Sequence, residues 1–62
     1  MEHRFEIAYF KGFNTYTRFE VSDKKDAYQR ALSLSDREES TQFDGIAIYD
    51  REERRWIARV EF

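Results

Sequence analysis

SDKKDAYQRALSL, residues 22–34, is the one stretch of this sequence whose apolar residues follow a helical repeat. At 100° per residue, one arc collects the apolar side chains, and the opposite arc is polar. The buried arc consists of Ala27, Tyr28, Ala31, Leu32 and Leu34. Because the two alanines project little volume, a bulky surface must approach them closely. The pattern therefore predicts a helix that lies across an aromatic sheet.

The ends of this helix are also marked in the sequence. Ser22 or Asp23 is the predicted N-cap, since either side chain can accept a hydrogen bond from the free amides of the first turn. Asp26 and Arg30 are spaced to pair on the polar face. Amphipathicity fails beyond the last leucine, so the helix is predicted to end within residues 35–37.

Before the helix, two segments alternate with period two and predict a β-hairpin. The first strand is predicted over His3–Phe10 and the second over residues 15–21. A three-residue loop, Gly12 to Asn14, keeps glutamate out of the core, whereas a two-residue loop would not. The predicted pairs are Tyr9 with Thr17, Ile7 with Phe19 and Phe5 with Val21.

After the helix, a polar connection over residues 36–44 leads to a second predicted hairpin, with strands over 45–50 and 56–62. A three-residue loop, Arg51 to Glu53, keeps the aliphatic residues on one face. A four-residue loop would move Arg59 to the core side. The predicted pairs are Ile48 with Trp56 and Ile46 with Ala58.

The order of elements is thus ββαββ, in one α+β domain over residues 1–62. An antiparallel four-stranded sheet with the helix across one face is the economical packing. The two hairpins could join through the first and last strands, or either hairpin could face a second subunit. The predicted core consists of Phe5, Ile7, Phe19, Val21, Ala27, Ala31, Leu34, Ile46, Ile48, Trp56, Ala58 and Val60.

Composition narrows the class of function. The 62 residues carry 11 basic and 13 acidic side chains, for a net charge of −2, with the two signs interspersed. This distribution disfavours duplex nucleic acid, which normally requires a basic stripe or tail. No apolar run reaches transmembrane length, so no membrane association is expected. Cysteine is absent, which agrees with a reducing compartment, and we predict a cytoplasmic protein.

The sequence contains no pattern typical of catalysis. His3 is the only histidine and is predicted to be solvated, with no base near any serine. The two glycines are isolated and form no phosphate-binding loop. The acidic residues of segment 36–44 lack the glycine hinge and alternation of an EF-hand. We therefore predict a protein that is not an enzyme and that uses no cofactor or metal.

The sheet face that one helix cannot cover is the informative surface. The predicted registers place aromatic and arginine side chains on it, types that are enriched at the centres of protein interfaces. The predicted partner-binding residues are Phe10, Phe13, Tyr16, Arg18, Tyr49, Ile57 and Arg59. This surface predicts that the protein docks on another protein, through the open face or through a sheet edge. A homodimer is also left open by the sequence. Strand propensity alone would also give an aromatic face.

Single-stranded nucleic acid is the alternative partner, because aromatic side chains on an open sheet stack on bases. Glu6, Glu20 and Glu61 argue against it, since the predicted registers place these carboxylates on the same face.

In size, acidity and lack of motifs the chain resembles the small accessory proteins that phages and other mobile elements encode. That resemblance implies action by steric occupancy, such as inhibition of a larger protein.

Overall fold

The computed structural model describes residues 3–62, so the first two residues of the predicted domain lie outside the described part. Four antiparallel strands form one open sheet, and one helix packs on it, which confirms the predicted α+β ββαββ fold. A short 3₁₀ helix, Glu38–Gln42, lies in the connection after the α-helix. The main elements are β1 (Phe5–Lys11), β2 (Asn14–Val21), α1 (Lys24–Ser35), β3 (Gly45–Asp50) and β4 (Arg55–Glu61).

The strand order is β2-β1-β3-β4, so the two hairpins join through β1 and β3. They do not join through the first and last strands, which was one of the arrangements left open by the sequence. The central pairing sets Ile7 opposite Ile48 and Tyr9 opposite Ile46. This places large, fully buried side chains in the middle of the sheet beneath α1, and it leaves β2 and β4 as edge strands.

Helix α1 begins as predicted, because the Asp23 side chain accepts a hydrogen bond from the Asp26 amide at 3.0 Å. It ends at Ser35, at the start of the predicted range. Ala27 and Leu34 are buried, but Leu32 is 69% exposed. The reason is that α1 packs over β1, β2 and β3 and leaves the helix side of β4 largely uncovered.

Tyr9 is the centre of the core, although it is not among the predicted core residues. Its side chain is fully buried, and its hydroxyl donates a hydrogen bond to the Leu34 carbonyl at 2.7 Å. The Phe43 ring stacks on it with a centroid distance of 4.4 Å. Burial raises the pKa of this phenol. Tyr9 thereby links the central strand to the last turn of the helix.

The first hairpin differs from its predicted register. The pairs Phe5 with Val21 and Ile7 with Phe19 are confirmed, but Tyr9 pairs with Tyr16 instead of Thr17. The turn contains only two residues, with Gly12 at a φ of 59°, where type II′ turns take glycine. A bulge on β2 restores the alternation of faces, which is why the shorter loop does not bury a glutamate.

The second hairpin also contains a bulge. Its loop has four residues, because Asp50 pairs with Arg55, and the predicted three-residue loop is wrong. A bulge at Ile57 keeps Arg59 off the core side, and Ile48 pairs with Ala58 instead of Trp56. Trp56, a predicted core residue, consequently faces the open side and is 46% exposed. Val60 keeps its predicted place on the helix side, opposite Ile46, but it is 55% exposed because α1 leaves β4 largely uncovered.

Asp50 fastens this second hairpin to the start of β1. Its carboxylate is buried and accepts two hydrogen bonds from the Arg4 guanidinium, at 3.0 and 2.9 Å. The same side chain accepts hydrogen bonds from the backbone amides of Glu52 and Glu53 in the turn. The bond to Arg4, helped by these amides, holds the pKa of Asp50 well below its ordinary value despite burial.

Residues 3–62 contain no helix that is both long and apolar enough to cross a lipid bilayer.

Candidate functional site

The sheet face opposite α1 is covered by no element of residues 3–62, and it carries a group of aromatic side chains around one arginine. We call this group the open-face patch. Three of its members come from the two strands of the second hairpin, and two come from the first hairpin. The patch consists of Phe10, Phe13, Tyr49, Trp56 and Arg59.

Phe10 is the floor of the patch, and it is only 6% exposed although no helix covers it. Its ring lies over Gly45, where a Cβ atom would come within 2.5 Å of the ring. The Arg59 guanidinium stacks on the same ring at 4.2 Å. Glycine at position 45 and arginine at position 59 therefore seal an aromatic side chain on an otherwise open face.

Two other members of the patch, Tyr49 and Trp56, are direct cross-strand neighbours. Their rings meet edge to face with centroids 5.0 Å apart. Phe13 is fully exposed at the tip of the first hairpin. A depression of about 270 Å³ lies between Phe13 and Trp56, with Ala47 in its lining. The patch thus offers a shallow apolar recess with one cation at its margin.

The end of the same face near the β3–β4 turn carries charged side chains that form ion pairs with one another. Arg51 forms ion pairs with Glu20 and, at 3.3 Å, with Glu6. The Thr17 hydroxyl donates a hydrogen bond to Glu6. Pairing with Arg51 lowers the pKa of Glu20. Since these charges satisfy one another, this end of the face offers less to a ligand than the open-face patch.

The structure brings four of the seven predicted partner-binding residues together and separates the other three. Phe10, Phe13, Tyr49 and Arg59 lie on the open face, as predicted. The expected positions of Tyr16, Arg18 and Ile57 are wrong, since these residues lie on the helix side.

The physical reason for this separation is the two bulges. The bulge on β2 turns Tyr16 toward Phe43, with ring centroids 5.4 Å apart. It also lets Arg18 stack on the ring of Tyr9 at 5.5 Å. The bulge on β4 directs Ile57 against the core.

Trp56 is the member of the patch that sequence reasoning missed. The signal that could have found it is the four-residue alternative for the second loop, which sets Trp56 opposite Tyr49. In a regular ladder that alternative moves Arg59 to the core side, and the bulge at Ile57 removes this objection. In a regular ladder, Trp56 cannot lie opposite Tyr49 while Arg59 stays off the core side, so the sequence pattern alone does not predict both.

The end of the sheet near the amino terminus holds a contact that the sequence did not predict. His3 Nδ1 lies 3.2 Å from Ser22 Oγ, so a base does lie near a serine. Both residues are exposed, and within residues 3–62 the ring makes no second hydrogen bond that would orient it. The described residues also contain no cluster of three or more His, Cys, Asp or Glu side chains placed to hold a metal ion.

Comparisons with known protein families, with curated proteins and with solved structures found no match for this chain.

Proposed function

We propose that this protein is a non-catalytic binding module that docks on another protein through the open-face patch. The observation that supports the proposal is a set of exposed aromatic side chains around a recess, on a sheet face that no element of the described chain covers. By occupying a surface of a larger protein, such a module would act as a steric inhibitor, in the manner of phage or mobile-element accessory proteins. We propose the cytoplasm as its compartment, which suits a chain without cysteine.

The rigidity of the patch favours tight binding. Phe10, Tyr49, Trp56 and Arg59 stand on paired strands, so little backbone freedom remains to be lost when a partner docks. Arg59 is stacked on Phe10 and so presents its guanidinium in one orientation. Tryptophan, tyrosine and arginine are also the residue types that most often dominate the energy of an interface.

Charge weighs against the alternative of single-stranded nucleic acid. Within residues 3–62, Arg51 is one of two arginines on the open face, and it is paired with Glu6 and Glu20. The other, Arg59, lies 3.4 Å from Glu61. A strand of phosphates crossing this face would therefore meet carboxylates at both ends of the sheet.

Differential capture is the first test of the docking proposal. Immobilised wild-type protein, a Phe13→Ala/Tyr49→Ala variant and a Tyr16→Ala control are exposed to a lysate of the source organism. Captured proteins are then quantified by mass spectrometry. Tyr16 is the matched control because it is an exposed aromatic residue, at 42%, on the opposite side of the sheet. We expect a protein that wild type and control retain and that the patch variant loses.

Isothermal titration calorimetry with that purified protein then measures how much each truncation weakens binding. Truncation of a residue that dominates an interface costs about 2 kcal/mol or more, so Trp56→Ala should weaken the dissociation constant about 30-fold. Tyr16→Ala should bind within about twofold of wild type. Equal affinity of the wild type and Trp56→Ala, with circular dichroism showing both folded, would contradict the proposal.

Oligonucleotides provide the test of the alternative partner. Trp56 is the only tryptophan of the chain, and stacking of a base on its indole would quench its fluorescence. We expect no quenching by random single-stranded DNA or RNA at low salt, where electrostatic binding is strongest. Saturable quenching under these conditions would support the nucleic-acid alternative instead.

A further inference from the structure

We propose that two copies of this chain pair through the free edge of β4 in an antiparallel register centred on Val60, which joins their sheets into one eight-stranded sheet. The occupant of this edge is a second copy of the chain, and the observations that carry the proposal are the free backbone groups, an adjoining apolar groove and a self-complementary pair of charges.

The first observation is the direction of the backbone groups in β4. The Phe62 amide donates to the Asp44 carbonyl at 2.8 Å, so residue 62 faces β3. Backbone groups alternate along an antiparallel strand, so Val60 also faces β3, whereas Arg59 and Glu61 direct their N–H and C=O groups outward. Beyond the bulge at Ile57 this edge is regular, and it lacks the distortion that protects many edge strands.

The second observation is the apolar groove beside this edge, on the helix side. The groove lies between α1 and β4, and Tyr28, Leu32, Ala58 and Val60 contribute to its lining. Two of these, Leu32 and Val60, are large apolar residues that are more than half exposed. A second sheet added at β4 would place its own copy of this groove directly alongside and would cover Val60 on both chains.

The third observation selects the register. Arg59 and Glu61 both project onto the open face, where their side chains are 61% and 74% exposed. When Val60 faces Val60 of a second copy, each Arg59 lies opposite a Glu61, and this contact occurs twice by symmetry. These opposed residues are also the ones with outward backbone groups, so each pair can exchange two N–H···O bonds.

Neighbouring registers fit less well. A centre at Arg59 would set two arginines directly opposite each other, which is destabilising. A centre at Ala58 would set Val60, on the helix side, opposite Trp56, on the open side. In the register centred on Val60, side chains on the same face of the sheet lie opposite one another, and each arginine lies opposite a glutamate.

The consequence for recognition rests on the proposed function. A two-fold axis between antiparallel strands of one sheet runs perpendicular to that sheet, so both open-face patches would lie on the same side. The dimer would then present two docking surfaces to one partner assembly, with the gain in apparent affinity that bivalence brings.

Disulfide trapping tests the pairing without any partner. The chain has no cysteine, so single cysteines introduced at Val60 and at Ala58 can be compared directly. At the Val60 centre the two Cα atoms would be about 4.5 Å apart, within the range that a disulfide spans. In the same register two copies of Ala58 lie four residues apart along the strands, too far to be bridged.

We expect Val60→Cys to form the interchain disulfide at least about tenfold faster than Ala58→Cys, because pairing raises the effective concentration of its thiols into the millimolar range. Circular dichroism before oxidation verifies that both variants are folded. Equal rates, or a faster rate for Ala58→Cys, would overturn the proposal.

Charge reversal in the Val60→Cys background tests the register independently. Arg59→Glu and Glu61→Arg each set like charges opposite one another, and each should slow cross-linking about tenfold, whereas the double reversal should restore the rate. Single reversals that cross-link at the parent rate would overturn the register. Since these experiments contain no partner, their failure would leave docking through the open-face patch untouched, and a failure of docking would leave them unaffected.

Discussion

At the scale of the single residue, Asp50 is the charged side chain that contributes most to the fold. It is 1% exposed and is held by the Arg4 guanidinium and by two amides of the β3–β4 turn. The bond to Arg4, followed by the bonds to the amides, favours the ionised form, which is why the pKa of Asp50 lies below the ordinary value of 3.8. The end of the sheet thus depends on one carboxylate.

This dependence predicts acid sensitivity. A carboxylate whose pKa is lowered by folding contributes its full stability above the unfolded-state pKa and loses it as pH falls through the folded-state pKa. We expect the thermal midpoint of wild type to decline below about pH 4. Asp50→Asn should lower the midpoint at pH 7 by about 10 °C, since it leaves Arg4 without its buried partner.

Midpoints measured between pH 7 and pH 2.5 for both proteins check this prediction. The difference between them should shrink toward the acid end, because wild type loses part of this stabilisation as pH falls below the unfolded-state pKa of the carboxyl group. A constant difference over the whole range would contradict the assigned role of Asp50.

At the scale of the element, the two bulges explain what the sequence could and could not predict. The helix, the four strands and the pairs Ile7 with Phe19 and Phe5 with Val21 follow from periodicity and are confirmed. The loop lengths were inferred on the assumption of regular ladders. Each true loop differs by one residue from the inferred length, and a bulge in each hairpin absorbs the difference.

No single-sequence pattern distinguishes a bulge from a regular ladder, because the relative stability of the two depends on tertiary contacts. At Arg18 the bulge is stabilised by stacking on Tyr9 and Phe43 and by an ion pair with Glu39. Those partners lie in other elements, so their effect cannot be read locally. This is why the sequence predicted four of the five members of the open-face patch and missed Trp56.

The bulge on β2 can be tested by deleting residues. Arg18 has no partner on β1, so its deletion leaves every other β1–β2 pair in place and produces a regular ladder. We expect the Arg18 deletion to remain folded, with a loss of about 1 to 2 kcal/mol from its stacking and ion-pair contacts. Deletion of Ala8 in the central strand is the control, since it reverses the faces of half of β1 and should abolish folding.

Urea denaturation followed by circular dichroism measures both deletions. Cooperative unfolding of the Arg18 deletion, beside an unfolded Ala8 deletion, is the expected result. An unfolded Arg18 deletion would mean that the bulge is required for the fold and is not an insertion that the hairpin accommodates.

At the scale of the whole molecule, 62 residues without a disulfide make a small core, and a domain of this size is marginally stable. Association would therefore contribute measurably to stability. If two copies pair through β4, the thermal midpoint should rise with protein concentration, because the dimer is favoured by mass action. The thermal midpoint of the control variant Glu61→Arg should not rise with concentration, because like charges would oppose its pairing.

Differential scanning calorimetry over a hundredfold range of concentration provides this comparison. Midpoints that rise for wild type and stay constant for Glu61→Arg agree with the dimer. A concentration-independent midpoint for wild type would contradict it.

The central claim is that the sheet face opposite α1 is the binding surface, and the sole tryptophan reports on it directly. Trp56 lies within the open-face patch and is about half exposed. The decisive measurement is its fluorescence during titration with the protein identified by differential capture. We predict that emission shifts to shorter wavelength and that acrylamide quenching falls as the patch is covered. Unchanged emission and unchanged quenching at saturation would place the interface elsewhere and contradict the claim.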